Sequence, residues 1–182
     1  MIQTIRIGTL LRETVASPYR NLVTRPTGAA IRNRIQAALA HSDCHTALLD
    51  FSDIELVDLS CADEVVAKLL LDDDGERGVR FVVLSGLRED QHEAIEHVLT
   101  THRLAVAAMP GGEHPAPRLL GWVTADARAA FAFLCERGAL LVAELAGALD
   151  WPSARAEAAL QALAVHRLVQ TDGDRYQPLP IG

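Results

Sequence analysis

The stretch from Thr46 to Leu71, TALLDFSDIELVDLSCADEVVAKLLL, constrains this chain more than any other. A short apolar run, Ala47-Leu48-Leu49, breaks at Asp50-Phe51-Ser52, and a second, Ile54 to Val57, leads to Asp58-Leu59-Ser60. Beyond it Val65, Val66, Leu69 and Leu70 recur at helical spacing. Short apolar runs bounded by turn-formers are the pattern of strands buried in a sheet covered on both faces. The period changes to 3.6 residues at Ser60. There Ser60-x-x-Asp63, with Glu64 beside it, follows the capping-box pattern that satisfies free amides at a helix start. The reading is strand, polar turn, and a helix capped by Ser60.

The rest of the chain extends that pattern in both directions. Ile2 to Leu11 alternates weakly and reads as an edge strand, and Ser17-Pro18 and Asn21 mark a turn. Ile31, Ile35, Ala38 and Leu39 then define an amphipathic helix with Thr24 or Thr27 as its cap, Pro26 in its first turn, and Arg32 and Arg34 off its apolar stripe. Arg25 at that helix start is suited to a phosphate, but one glycine, Gly28, is no glycine-rich loop, and ordinary capping explains the residues better. Gly75 and Gly78 punctuate the chain before a strand, VRFVVLSG, a helix from Arg88 to Thr101, and a last strand from Leu104 to Met109. Strands alternating with helices give an α/β layer. The run Pro110 to Pro117 has no apolar period, and its three prolines and two glycines read as a linker. The expected division is an α/β domain over 1–109, a Pro/Gly linker over 110–121, and a second domain over 122–182.

In that second domain, Asp126 to Arg137 reads as a helix and Leu140-Leu141-Val142 as a short extended piece. Helices follow over Ala143 to Leu149 and from Ser153 to His166. Two short strands then flank Asp172-Gly173-Asp174, where the Asp-Gly step favours a hairpin turn.

Two resemblances follow from these residues. LDFSDIELVDLSCADEVV resembles the central motif of the STAS fold, the anti-sigma-factor antagonist domain, with Asp50, Phe51, Ser52, Ile54, Val57, Asp58 and Ser60 on its pattern. Leu59 replaces its first serine and Cys61 its glycine, and Ser60, Ala62, Asp63 and Glu64 are closer to its divergent STAS-like branch. The order from Val123 onward, with the run from Ser153 through Leu160 and Leu163 to Val169, resembles a winged helix-turn-helix. The first resemblance implies an α/β sheet with helices and a switch acting through protein–protein contact at the helix that begins at Ser60. It implies Ser60 as the phosphorylated residue and Asp58, Cys61, Asp63 and Glu64 as the partner-contact surface. The second implies DNA contact, dimerisation or a further protein surface, with Ser153, Arg155, Gln161 and Arg175 as the DNA-contact candidates. The implied partner is an anti-sigma factor or another regulator, with DNA and a second copy of the chain as alternatives.

Charge and composition limit the function classes. The chain of 182 residues carries a formal charge of −7, which disfavours indiscriminate nucleic-acid binding. Residues 124–182 hold five Arg against seven acids, a net −2, a poor start for a module relying on phosphate contacts. The charge is segregated: Arg6, Arg12, Arg20, Arg25, Arg32 and Arg34 lie in the first 45 residues, whereas 50–96 are acidic. That segregation fits either a solvated face or a surface turned to a partner. Lys68 is the only lysine, which reads as the coding bias of a GC-rich, bacterial genome. Three scattered cysteines argue against a disulfide framework and for a reducing compartment. The N-terminus lacks a signal-peptide layout and no apolar run reaches membrane-spanning length, so the expected location is cytoplasmic, with no membrane partner.

His92 and His97 are five residues apart, which turns the second ring away by about 140°, so they are no zinc-helix pair. His41, Cys44 and His45 have no second ligand pair, and Asp50 with Asp58 assembles no nucleophile, base and oxyanion donor. Neither metal nor cofactor is expected. The reading is a non-enzymatic regulator. The alternative is a sequence-specific transcription factor whose first domain senses a small molecule.

Overall fold

In chain order the residues from Met1 to Trp122 run β1 (Ile2–Arg6), α1 (Ile7–Thr14), β2 (Asn21–Leu22), α2 (Arg25–Ala40), β3 (Thr46–Asp50) and β4 (Leu56–Val57). Then follow α3 (Leu59–Ala62), a π-helical segment (Asp63–Ala67), α4 (Lys68–Asp72), β5 (Phe81–Ser85), α5 (Glu89–Thr101), β6 (Ala105–Ala108) and β7 (Arg118–Gly121). This is a computed structural model describing residues 1–15, 20–72, 81–111 and 116–180. It is a mixed α/β fold that divides into two compact units, Met1–Trp122 and Val123–Gly182. Ser17, Pro18, Gly75 and Gly78 lie outside the described residues.

The first unit is built on a five-stranded sheet in the order β1-β3-β5-β6-β7. The first four strands are parallel, and β7 is antiparallel to β6. The parallel crossovers all step the same way across the sheet, and right-handed crossovers then put their helices on one side. The packing agrees. Ile5, Ala47, Leu49, Val82, Leu84, Val106, Ala108 and Leu120 share one buried cluster with Ile7, Leu11, Ile31, Ile35, Val65, Val66, Leu69, Ile95 and Leu99. Strand alternation places those sheet residues on one face. The helices of this unit pack on that face, and the alternate residues Val83, Ala107 and Leu119 on the opposite face are buried as well, as the apolar runs suggested.

Two expectations are corrected. Residues 7–14 are helical, because Ile7 and Leu11 one turn apart bury completely against the core, which outweighs the weak alternation of the preceding strand. The expected linker, 110–121, is too long. Arg118–Gly121 pairs with β6 in register, Val106 opposite Leu120 and Ala107 opposite Leu119. A hydrogen bond from the Trp122 amide to the Leu104 carbonyl at 2.8 Å extends that edge.

The second unit runs α6 (Ala125–Arg137), β8 (Leu140–Leu141), α7 (Val142–Leu149), α8 (Ser153–Val165), β9 (Val169–Asp172) and β10 (Arg175–Pro178). Its strands form an antiparallel sheet in the order β8-β10-β9. Thr124 caps α6, its hydroxyl accepting from the Ala127 amide at 3.1 Å. Phe131, Leu134, Leu145, Leu160 and Leu163 are buried, with Ala130, Ala156 and Ala159 allowing close helix approach. Gly173 takes the positive φ of 60° that the hairpin turn requires.

Candidate functional site

The starts of α2 and of helix 59–72 are tied together by one carboxylate. Asp58 Oδ1 accepts from the Cys61 amide at 2.7 Å and from the Ser60 hydroxyl at 2.9 Å. Asp58 Oδ2 accepts from the Thr24 amide at 3.0 Å. Asp58, not Ser60, is therefore the N-cap, and helix 59–72 begins at Leu59. Both residues are good cap-formers, but only Asp58 reaches the second helix start as well. Burial opposes ionisation of Asp58. Hydrogen bonds from the Thr24 and Cys61 amides and from Ser60 outweigh it and hold the carboxyl below its ordinary range.

Thr24 stands before α2 as expected, but its hydroxyl donates to Thr27 Oγ1 at 3.0 Å instead of capping the helix. Its φ of 73° is an outlier for a β-branched residue. Such strain costs about 1–3 kcal/mol and persists only where surroundings enforce it. Asp58 supplies one restraint, and the Cys61 thiol, donating to the Thr24 carbonyl at 3.0 Å, supplies another. Gly28 allows the two helices to approach this closely, since a Cβ there would lie 2.9 Å from Glu64 Cβ and 3.1 Å from Cys61 Cα.

Behind this junction lies an ion cluster. Glu64, with a side chain only 3% exposed, accepts from Arg25 at 2.7 Å, from Arg32 at 2.6 Å, and from Lys68 one helical turn on. Asp63 accepts from Arg25 at 2.8 Å and pairs with His102 Nε2 at 2.7 Å. Burial opposes the charge on both acids, but these partners lower both carboxyls below their usual range. Burial, with the Asp58 charge adding, pushes the Cys61 thiol up to about 12, so it is no nucleophile. Of the residues expected at a partner-contact surface, Cys61 and Glu64 are buried. Asp58, Ser60 and Asp63 remain partly accessible.

The charge segregation is closed inside this unit. Arg12 faces Asp53 at 3.8 Å and Arg20 faces Glu55 at 3.5 Å. Arg25 meets Asp63 and Glu64, and Arg32 meets Glu64 and, at 3.7 Å, Asp72. Four arginines of the first 45 residues, Arg12, Arg20, Arg25 and Arg32, thus meet acids of 53–72 across the fold, whereas Arg34 meets Glu13 on its own side of the sequence.

What this corner presents outward is an open groove of about 400 Å³ lined by Arg25, Leu59, Ser60, Asp63, His97, Val98, Thr101 and His102. Leu59 is 50% exposed at its edge, and Leu56 is 45% exposed three residues earlier in the chain. His92 is buried while His97 is exposed. Among the described residues no group of three or more His, Cys, Asp and Glu is placed to hold a metal ion. None of their helices is long and apolar enough to cross a membrane.

In the second unit Ser153, Arg155, Gln161 and Arg175 are all exposed. Arg155 is held in place: it makes two hydrogen bonds to Asp126, at 2.8 and 2.7 Å, and stacks 4.4 Å from the Trp151 ring centroid. Arg175 faces Glu144 at 3.8 Å, and Gln161 donates to Glu157 at 3.2 Å.

The sequence reading missed Arg32, Lys68 and His102 as members of the cluster, and Leu56 and Leu59 as exposed apolar residues. The Glu64–Lys68 spacing was a signal in plain view. Compared with known proteins, the chain matches no family model, no curated protein and no solved structure.

Proposed function

We propose that this chain is a non-catalytic regulator whose first unit, a STAS-like domain, binds a protein partner at the start of helix 59–72. The observation that carries this reading is the exposed Leu59 lining a groove with charged and hydroxyl side chains on a well-restrained helix start, with a second exposed leucine, Leu56, three residues earlier in the chain. Apolar anchors with a polar rim suit protein contact. Ser60 is the switch position in this reading. A phosphate on its hydroxyl would break the bond to Asp58 and set about two negative charges against that carboxylate, loosening the junction with Thr24.

The second unit serves, in this proposal, as a winged-helix module for protein contact or self-association. Its helix and strand order supports the winged-helix assignment, and its net acidity and the Asp126 clamp on Arg155 favour protein over DNA. The second reading, a DNA-binding regulator that senses a small molecule, draws on the groove's volume and on the exposed Ser153 and Gln161.

Affinity capture from the source cell with the full chain, beside a Leu59→Asp variant, tests the proposal. The expected result is a defined protein retained by the wild type and lost by the variant. Equal retention by both, or enrichment of one DNA sequence at moderate salt with no protein retained, would overturn it.

A further inference from the structure

The ion cluster contains one more cation than its buried carboxylate needs. Glu64 is held by Arg32, whose side chain is 18% exposed, and by Lys68, whose side chain is 37% exposed. Arg25 is the third cation; its side chain is 52% exposed, and it lines the groove beside Ser60. A buried carboxylate stripped of all its partners is strongly destabilising. Glu64 is spared that penalty when Arg25 leaves, because Arg32 and Lys68 remain. Asp63, Arg25's other acceptor, keeps His102. The guanidinium is therefore free to exchange these acids for one arriving from outside.

The remaining lining agrees in charge and in polarity. His97 and His102 add two imidazoles, Thr101 and Ser60 add hydroxyls, and Asp63 is the single acid, already shared between Arg25 and His102. Leu59 and Val98 form the apolar part of the wall.

We infer that this groove is the docking site for an acidic segment of the partner protein. A carboxylate of that segment takes the Arg25 guanidinium, and a neighbouring aliphatic side chain packs on Leu59. Arginine is suited to this exchange because Nη1 alone bonds Asp63 and Glu64, and the planar fork can grip an incoming carboxylate in bidentate geometry. The inference rests on the protein-contact reading and adds the chemistry of the partner.

A random peptide library displayed on phage and selected against the immobilised full chain tests it, with Arg25→Gln and the remote surface variant Arg34→Gln in parallel. Circular dichroism first establishes that both variants are folded. The expected result is enrichment of peptides joining Asp or Glu to an aliphatic residue, by wild type and Arg34→Gln alike. Arg25→Gln loses that preference, and affinity for the selected peptides falls by about tenfold, as for one charge-assisted contact. Enrichment without acidic preference, no enrichment at all, or the same acidic peptides selected by Arg25→Gln would each overturn the inference. Competition separates the anion source: inorganic phosphate that displaces the peptides completely at equal concentration would mark a simple anion site and overturn the peptide assignment. Failure here is distinct from failure of the broader reading, because a partner captured equally by wild type and Arg25→Gln but lost by Leu59→Asp removes only the acidic docking.

Discussion

Replacing Asp58 with alanine removes three hydrogen bonds at the junction, and its cost follows from them. Loss of an N-cap costs about 1 kcal/mol. Asp58 also restrains Thr24 through the amide bond at 3.0 Å, and a hydrogen bond to a charged acceptor contributes about 1.5–3 kcal/mol, with the low end fitting exposed Thr24. Asp58→Ala should therefore destabilise the first unit by about 2–3 kcal/mol. Ser60→Ala removes one donor from a carboxylate that keeps both amides, at about 0.5–1 kcal/mol. Urea unfolding read by Trp122 fluorescence, with Trp151→Phe silencing the second unit, gives both values. With a slope of about 2 kcal/mol/M, the Asp58→Ala midpoint should drop by about 1–1.5 M. The pH dependence has a definite sign. The folded-state carboxyl lies below its ordinary value of 3.8, so its contribution is complete above that pH and is lost as pH falls through the lowered folded value. The gap between wild type and Asp58→Asn should close in that acid range. If Ser60→Ala costs as much as Asp58→Ala, the capping assignment is wrong.

Three other outcomes are expected. Glu64→Gln leaves Arg25, Arg32 and Lys68 without their shared acceptor charge and should cost about 3–5 kcal/mol, read by the same unfolding assay. Gly28→Ala forces Glu64 and Cys61 apart and should cost about 1–3 kcal/mol, seen as a lower first-unit melting temperature. Cys61 should resist iodoacetamide at pH 8 until the unit unfolds, since burial holds its thiol protonated; mass spectrometry of partly denatured samples would show its modification tracking unfolding.

The parts of this fold that were readable from sequence are those carried by local period and turn chemistry. The strand of Thr46–Asp50, the helix over Arg25–Ala40 and the Asp-Gly hairpin all have that signature. The helix start at Asp58 was hidden by a local ambiguity. Asp58 and Ser60 are two cap-formers two residues apart, and the choice is made by Thr24, 34 residues earlier in the chain. Glu64 looked like one more surface acid because two of its cations, Arg25 and Arg32, lie 39 and 32 residues away. The strand Arg118–Gly121 was masked by the prolines and glycines before it, since pairing with β6, not propensity, defines it. The charge segregation was visible in the sequence, but which acid each arginine meets is a property of the tertiary fold alone.

The most direct test of the central claim is a photo-crosslinking amino acid placed at position 59 of the full chain in the source cell. Protein contact at the start of helix 59–72 predicts one dominant protein adduct, absent when the same probe replaces Arg34 on the outer surface of α2. A probe at position 59 that yields no protein adduct above the Arg34 control would contradict the account.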